Sequence, residues 1–418
     1  MIPALRHAFN AAWTPGQFAD MRARVERRAG AHVPFPLSET PCFFPRALMD
    51  ELAATGADLV QQIVGSPSAM QAARAVVPER YRGPGAGDRP QFIQVDFGLV
   101  RGEDGRVRPK LVELQAFASL YGFQLAMAEA YHAAFALPES LGHFFGGIDT
   151  AAYLDLVRQA MVGDHDPEQV VLMEIQPRLQ KTWPDFAVTE SLWGVKAIDT
   201  GDVEREGRRL FYRRDGRRIP IARVYNRVIP DELDHKGVVL PFDYRDELDV
   251  EWAGHPAWFF QLSKFSIPFL KHESVPKTWF LHELDRLPDD REHYLLKPLF
   301  SFAGGGITFA PTDADVAAIP ADQRRNYILQ ERIAFTPLFE TPDGPTQAEI
   351  RVMYVWTDRP RAVLPLIRMG RGKMMGVDHN KGLHWVGASA GFITNPVPFS
   401  SRSSGAPSTS AGVPDATA

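Results

Sequence analysis

The sequence predicts an α+β protein that begins with a helical segment and has an α/β unit near its middle. Three observations lead to this prediction. Apolar side chains recur at helical spacing between residues 44 and 77. Residues 91–115 alternate like a strand hairpin, and a buried strand at residue 170 opens a unit of alternating strands and helices. At 418 residues the chain is long enough for two or three domains.

The composition is ordinary for a soluble globular protein, with 45% hydrophobic and 23% charged residues. A formal net charge of −5 gives no reason to expect a nucleic-acid partner, because non-specific binding relies on a basic surface. The single cysteine, Cys42, excludes an internal disulfide framework and a cysteine-based zinc site. The sequence has no apolar run near the roughly 18 residues of a membrane span and no signal-peptide core. We therefore expect a cytoplasmic protein without a membrane partner.

The first predicted unit is a helical segment over residues 1–90. Apolar residues between positions 44 and 77 recur at the spacing of an amphipathic helix, and a loop rich in glycine and proline at 80–88 ends the segment. The residues on the predicted common face are Leu48, Leu52, Leu59, Val60 and Ile63.

The next feature is a hairpin formed by residues 91–98 and 109–115. It carries Asp96 on its first strand, and Glu113 and Gln115 on one face of its second strand. Two carboxylates and an amide oxygen suit magnesium, which prefers oxygen ligands. The alternative is a solvated edge face without a ligand. Helical stretches at 116–134 and 148–161 follow, and we assign residues 91–163 to one unit.

The α/β unit is predicted over residues 164–257. Its first strand is residues 170–175, and a later strand, residues 222–227, ends in Asn226 and Arg227. Sites in α/β sheets lie beyond the carboxyl ends of strands, so both polar residues are candidate site residues. A surface arginine at a strand end is the alternative for Arg227.

A lysine and a glycine run lie together in residues 294–309. An apolar strand leads into Lys297, and Gly304, Gly305 and Gly306 precede a second β-favouring stretch. A cation beside uncluttered backbone N–H groups suits polyphosphate. The pattern is neither a P-loop nor the dinucleotide GxGxxG, and a β-bulge or tight hairpin is the alternative.

Further charged and polar residues lie in the last predicted unit, residues 258–393. Lys264 lies in an apolar helical stretch, and Gln330 and Glu331 end a predicted strand at 326–333. The remaining residues, 394–418, are mainly serine, proline, alanine and glycine, and we expect a disordered tail without chemistry.

Two arginines lie on strands that we expect to pair, residues 348–356 and 361–368. Arg351 and Arg368 can each present a guanidinium group to a phosphate or a carboxylate.

The order of these residues resembles an ATP-grasp nucleotide-binding core. The matching residues are Lys264, Lys297 with its glycine run, Gln330-Glu331 and Glu349-Ile-Arg351. The acidic motif that normally follows them lies upstream here, as Asp96 and Glu113-Leu-Gln115, and Tyr225-Asn-Arg227 comes between. This order is similar to circularly permuted ATP-grasp families such as the synthetase domain of glutathionylspermidine synthetase. The resemblance implies an ATP-grasp fold in circularly permuted order, preceded by a pre-ATP-grasp-like α/β unit.

Three departures from the family pattern matter. Gln115 replaces the usual asparagine, which places its amide oxygen one methylene further out. Gln94 stands where the spermidine-ligating relative has an arginine, which argues against the same substrate. The lid that begins at Ser301 is more apolar than most, so we expect it to close differently.

The resemblance implies an ADP-forming carboxylate–amine ligase that works through an acyl phosphate, with ATP and Mg²⁺ as cofactors. It implies phosphate binding by the two lysines and the glycine run, magnesium at the hairpin carboxylates and Gln115, and adenine near Gln330 and Glu331. It gives Arg351, Arg368 and Arg227 catalytic roles toward a small carboxylate and a small amine, and it indicates no oligomeric state.

Three alternatives stay open. The chain could be an ATP-grasp phosphotransferase that releases a phosphorylated product. It could be a nucleotide-binding protein with a decayed catalytic site. The lysine and glycine pattern could also be structural, with no nucleotide bound.

Overall fold

The computed structural model describes residues 1–301, 305–380 and 382–394. Helices and strands are mixed along the chain, as the α+β prediction requires. The α-helices are α1 (Pro3–Ala12), α2 (Pro15–Ala29), α3 (Arg46–Val64), α4 (Pro67–Ala75), α5 (Tyr121–Ala134), α6 (Thr150–Met161), α7 (Trp183–Trp193), α8 (Pro230–His235), α9 (Ala257–Gln261) and α10 (Asp313–Ala317).

The strands form four sheets. They are β1 (Cys42–Phe44), β2 (Phe92–Arg101), β3 (Val107–Gln115), β4 (Leu141–Gly142), β5 (Val170–Glu174), β6 (Lys196–Asp199), β7 (Glu204–Glu206), β8 (Arg209–Arg214), β9 (Arg217–Ile221), β10 (Arg223–Asn226), β11 (Glu251–Ala253), β12 (Thr278–Phe280), β13 (Tyr294–Pro298), β14 (Thr308–Phe309), β15 (Tyr327–Glu331), β16 (Phe339–Thr341), β17 (Gly344–Trp356), β18 (Pro360–Gly370) and β19 (Gly387–Thr394).

The regular secondary structure of the N-terminal region is helical, with one exception. The predicted apolar face is present, since Leu52, Leu59, Val60 and Ile63 are buried and Leu48 is partly buried in the same cluster. The exception is β1, which sequence reasoning missed, and which pairs in parallel with β19 near the other end of the described chain.

The long helical stripe is divided into α3 and α4. Ser66 caps α4 by accepting a hydrogen bond from the N–H of Ala69, and Pro67 occupies the first helical position. A serine cap followed by proline is a strong start signal, so the second helix begins anew there.

The central sheet combines early and late parts of the chain. Its strand order is β1-β19-β18-β17-β2-β3, with β16 on β17 and β4 on β19. The predicted hairpin is confirmed, because Asp96 pairs with Glu113 across β2 and β3. The predicted pairing of the two arginine strands is confirmed as well, as β17 with β18. Strands from three of the predicted domain segments share this one sheet, and the domain boundaries themselves stay predictions.

The two faces of the central sheet differ in chemistry, because side chains alternate along each strand. One face is apolar and packs on α3 and α4, with Val95, Ile350 and Ile367 among its buried residues. The other face carries polar residues, including Asp96 and Arg351 in adjacent strands. Such a division positions a polar site on one side of a firmly packed sheet.

The smaller sheets contain the other predicted elements. The predicted strands at 170–175 and 222–227 are β5 and β10, which lie together in the parallel sheet β11-β10-β5-β6. The predicted lysine strand is β13, and it pairs with β15 in the sheet β12-β15-β13-β14. The third small sheet, β7-β8-β9, is an antiparallel meander.

Two stretches that are predicted to be helical differ from the prediction in where the helix begins or how far it extends. The stretch predicted helical at 116–134 becomes helical only at Tyr121, where α5 begins. The stretch predicted helical from 258 to 270 is the short α9 followed by a 3₁₀ turn over Lys264–Phe269. Pro268 lies in that turn, and a proline lacks the N–H that an α-helical ladder needs.

Two expectations fall outside the described residues. They are the disordered tail beyond Thr394 and the placement of Gly304 in the lid. Among the described residues, no helix combines the length and apolar character needed to cross a bilayer.

The packing of α3 on the sheet gives a stability prediction. A Cβ added at Gly56 would lie 2.2 Å from the hydroxyl oxygen of Tyr354, which is buried and donates a hydrogen bond to the Ala53 carbonyl at 2.8 Å. We expect Gly56→Ala to lower the free energy of unfolding by about 1–3 kcal/mol, because the ring must shift in a close-packed core. Denaturant unfolding of the variant and the wild type measures this loss.

The matched control is Gly16→Ala in α2. A Cβ there meets no atom closer than 4.0 Å, so we expect the substitution to be neutral or to stabilise by up to ~1 kcal/mol. Adding Tyr354→Phe to Gly56→Ala should recover part of the loss. An equal effect of both glycine substitutions would contradict the packing argument.

Candidate functional site

A cavity of about 1160 Å³ lies against the polar face of the central sheet. Its wall combines strands of the central sheet with the small sheet that carries β13 and with α5. Most sequence-predicted site residues line it, and these are Glu113, Gln115, Arg227, Lys264, Lys297, Gln330, Glu331, Arg351 and Arg368.

Three predicted residues do not line the cavity. Asp96 is 1% exposed and lies beneath the wall, in contact with Arg351. Gly305 and Gly306 are described but lie outside the lining.

The buried guanidinium of Arg351 lies at the centre of the polar face. Its Nε donates to Asp96 Oδ1 and its Nη2 to Asp96 Oδ2, both at 2.6 Å, while its Nη1 donates to Gln94 Oε1 at 2.6 Å. Burial alone would raise the pKa of the Asp96 carboxyl, but Arg351 and Arg368 hold that pKa below its usual value. A guanidinium has five N–H donors, so Arg351 has about two left. These either reach a ligand in the cavity or, when the Gln115 amide is turned over, donate to its oxygen.

Arg368 lies beside this pair on the neighbouring strand. Its Nη1 contacts Glu349 closely and donates to Asp96 Oδ2 at 3.2 Å. Burial raises the pKa of Glu349 to about 7, although Arg368 opposes the shift. Burial and the neighbouring carboxylates Asp96 and Glu113 therefore make this carboxyl easier to protonate than an exposed glutamate.

The predicted magnesium ligands are not equally free to bind an ion. Both oxygens of Asp96 accept hydrogen bonds from Arg351. The amide of Gln115 either donates to Gln94 Oε1 at 3.0 Å or, turned over, accepts from Arg351 Nη2 at 3.0 Å. Glu113 lies 3.8 Å from Lys264 Nζ and from Arg351 Nη2, which is beyond hydrogen-bond distance.

This arrangement fits an ion at Glu113 but not at all three donors together. An ion shared by the three would require Arg351 to release Asp96. In the described ranges, no three or more His, Cys, Asp or Glu residues are grouped as a metal site. The three-ligand assignment stays a prediction.

The lysine strand places a buried cation in the cavity wall. Lys297 is 5% exposed, and its Nζ donates to Gln330 Oε1 at 2.5 Å. Burial lowers the pKa of Lys297 to about 8, so it is mostly charged at neutral pH. Gln330 Nε2 is buried and has no hydrogen-bond partner in the described part of the chain. A ligand that brings acceptor atoms would satisfy both groups.

Lys264 adds a second cation at the same wall. Its ammonium donates to the carbonyl of Ser301, which begins the predicted lid, at 3.0 Å. Together with Lys297 it makes the lid side of the cavity cationic, which fits the phosphates of a nucleotide.

A glycine in β2 allows the cavity wall to close above the sheet. A Cβ at Gly98 would lie 2.7 Å from the ring of Phe335, in the segment that follows β15. Because Gly98 lacks that atom, residues 332–335 lie directly on the sheet and extend the wall beyond Glu331.

Arg227 is bound by an aspartate that sequence reasoning missed. Its Nη1 donates to Asp185 Oδ2 at 2.8 Å, and both side chains are buried. Asp185 also accepts from the N–H groups of Leu120 and Phe123, at 3.1 and 3.0 Å. It thereby caps the first turn of α5 from another helix, which explains why α5 begins at Tyr121.

Gln94 departs from the family pattern and is not among the predicted site residues, yet it connects two parts of the site. Its Nε2 donates to the Ser119 carbonyl at 2.8 Å, and the Ser119 hydroxyl accepts from Arg227 Nη2 at 3.4 Å. Gln94 lies two residues before Asp96 in β2, so strand alternation could have placed it on the site face. No sequence signal of this kind marks Asp185, because its role depends on a distant helix. Phe123, whose N–H it accepts from, lies 62 residues earlier in the chain.

Comparisons with known proteins bear on the fold. No protein-family model and no curated protein matches this sequence. A solved structure does match: a glutathione synthetase-like effector from Globodera pallida in the apo form, with a TM-score of 0.56 and 14% sequence identity. The match covers 90% of this chain and 96% of that one. The chain therefore has a glutathione synthetase-like fold, which agrees with the ATP-grasp relation expected from the sequence.

Proposed function

We propose that this protein is an ATP-dependent, ADP-forming carboxylate–amine ligase with an ATP-grasp core in circularly permuted order. The observation that carries the proposal is the meeting of the early acidic hairpin with the late cationic residues. Glu113 lies 3.8 Å from both Lys264 Nζ and Arg351 Nη2, and Lys297 lines the same cavity.

The nucleotide would bind on the lid side of the cavity. Lys264 and Lys297 would hold its phosphates, and Gln330, which has an unpartnered buried Nε2, would meet the adenine together with Glu331. Mg²⁺ brought with the nucleotide would contact the chain at Glu113 and would neutralise phosphate charge.

The two central arginines, Arg351 and Arg368, would hold the two reacting groups, the transferring phosphoryl group and the substrate carboxylate. Arg351 is fixed by Asp96 and Gln94, so its free N–H groups need little reorganisation when charge develops. Removing such a fixed donor costs on the order of 10²–10³ in rate. Arg368 would hold the substrate carboxylate beside it, with Arg227 further along the wall.

A second candidate function is nucleotide binding without ligation. It is favoured by the engagement of Asp96 and Gln115 with Arg351, and by the absence of any charged residue between Lys297 and Phe309 in the sequence. A phosphotransferase that releases its product is the third possibility, and the reaction products separate all three.

The first test is the reaction itself. Incubation with ATP, Mg²⁺, a panel of carboxylates and a panel of amines should release ADP only when a carboxylate is present. Hydroxylamine should trap the acyl phosphate as a hydroxamate. A released phosphoester would indicate a phosphotransferase. Tight ATP binding without ADP release across the panel would indicate a nucleotide-binding protein.

The role of Lys297 gives a second prediction. Lys297→Met should weaken ATP binding by roughly 100-fold, because it removes a charged donor from the phosphate site. It should leave the melting temperature unchanged or higher, because it removes a buried cation that no described carboxylate pairs within salt-bridge distance. Calorimetric titration and thermal unfolding measure the two effects.

Lys271→Met, at an exposed position, is the matched control and should bind ATP like the wild type. Wild-type affinity should also fall as the pH rises through about 8, where Lys297 loses its proton, and the Lys297→Met variant should lack this dependence. Equal ATP affinity in both lysine variants would contradict the phosphate assignment.

Glu113 gives a third prediction. Glu113→Gln should lower turnover by roughly 100-fold while changing the dissociation constant of ATP much less, because the carboxylate is proposed to serve the metal in the reacting complex. The exposed Glu273→Gln variant is the control. Parallel losses of affinity and turnover would count against a metal role for Glu113.

A further inference from the structure

The cavity has an apolar lobe that the nucleotide does not explain. We define this lobe by Phe35, Phe117, Phe123 and Met127, which all line the cavity. The rings of Phe35 and Phe123 pack edge to face with centroids 5.4 Å apart, and Met127 follows Phe123 by one turn of α5. The surface of the apolar lobe suits an uncharged group about the size of an aromatic ring.

The arginine that lies against Phe117 is already paired with a carboxylate. Arg227 is paired with Asp185, and its guanidinium lies 5.5 Å from the centroid of the Phe117 ring. Burial raises the pKa of the nearby Glu174 carboxyl to about 8, so it is mainly neutral at physiological pH. A charged group placed against Phe117 would lose its hydration without gaining an unpaired counter-ion from Arg227 or Glu174.

The apolar lobe adjoins the proposed carboxylate site. Ala388 on β19 lies directly opposite Arg368 on β18, and its N–H donates to the Pro36 carbonyl at 2.9 Å. Ala388 therefore lies between the Arg368 strand and the segment that carries Phe35. A molecule with its carboxylate at Arg368 would extend its body past Ala388 into the apolar lobe.

We infer that the carboxylate substrate has an aromatic or branched apolar body, which the apolar lobe binds while its carboxyl group meets Arg368 and Arg351. This inference rests on the proposed ligase function and names its substrate class. Arg227 Nε is buried without a hydrogen-bond partner in the described chain, so a polar atom on that body could accept from it.

The test measures binding first and turnover second. Phenylacetate and indole-3-acetate are titrated into the full chain in the presence of a non-hydrolysable ATP analogue, with L-glutamate and succinate as polar comparators. We expect the aryl acids to bind at least about tenfold more tightly than the polar acids. Tighter binding of the polar acids would overturn the inference.

A variant tests the position of the apolar body. Ala388→Leu fills the entrance to the lobe and should weaken binding of the aryl acids at least about tenfold, while leaving the affinity for ATP unchanged. Ala317→Leu, an exposed position in α10, is the control and should change neither. Unchanged aryl-acid binding in Ala388→Leu would overturn the inference.

The two levels of the proposal can fail separately. Aryl-acid binding that Ala388→Leu weakens, without ADP release, would support the apolar lobe and reject ligation. ADP release that depends on polar acids alone would support ligation and reject the aromatic substrate class.

Discussion

The buried ion pair between Arg351 and Asp96 is the interaction on which the site depends. It joins β2 to β17 across a sequence separation of 255 residues. Arg351 lines the cavity and is 7% exposed, whereas Asp96 lies beneath it and is 1% exposed. Taking two charges out of water is costly, and their attraction offsets that cost only with good geometry and further hydrogen bonds. Gln94 and Arg368 supply those bonds, so the pair fixes one arrangement of the polar face.

A network of hydrogen bonds connects this ion pair to the cavity wall that contains Arg227. Gln94 connects Arg351 to Ser119, and Ser119 leads to Arg227 and then to Asp185. Because Asp185 also caps α5, the helix that lines the apolar lobe belongs to the same hydrogen-bonded network as Arg351. The geometry of one wall is therefore not independent of the other.

The strands that carry the site could be predicted from sequence because their signals are local. Alternating side chains along β2, β3 and β17 place Asp96, Glu113 and Arg351 on strands. Short turns predict the pairing of β2 with β3 and of β17 with β18. What the sequence could not supply was the neighbour of each charge. Oxygen donors at Asp96 and Gln115 indicated a metal, whereas the fold brings a guanidinium to them from a distant strand.

Two further elements were not predicted correctly, and in both the reason is again a partner that is distant in sequence. The start of α5 depends on Asp185, whose carboxylate accepts hydrogen bonds from N–H groups at that end of the helix, and the strand β1 forms by pairing with β19. Neither partner is near in sequence, so local propensity gives the wrong boundary or no element at all. The break between α9 and the following turn is different, because Pro268 is a local signal that apolar periodicity outweighed.

The strand order of the central sheet also constrains how the chain is made. The hairpin β2–β3 pairs with β17, and at synthesis rates of about 5–20 residues per second the 255 residues between Asp96 and Arg351 take roughly 13–50 s to emerge. Until then β2 has β3 on one side, but its other edge, which later pairs with β17, has no neighbouring strand. Asp96 likewise lacks its counter-ion Arg351. An unpaired strand edge can pair with another chain, so the nascent protein carries this risk of aggregation until β17 leaves the ribosome.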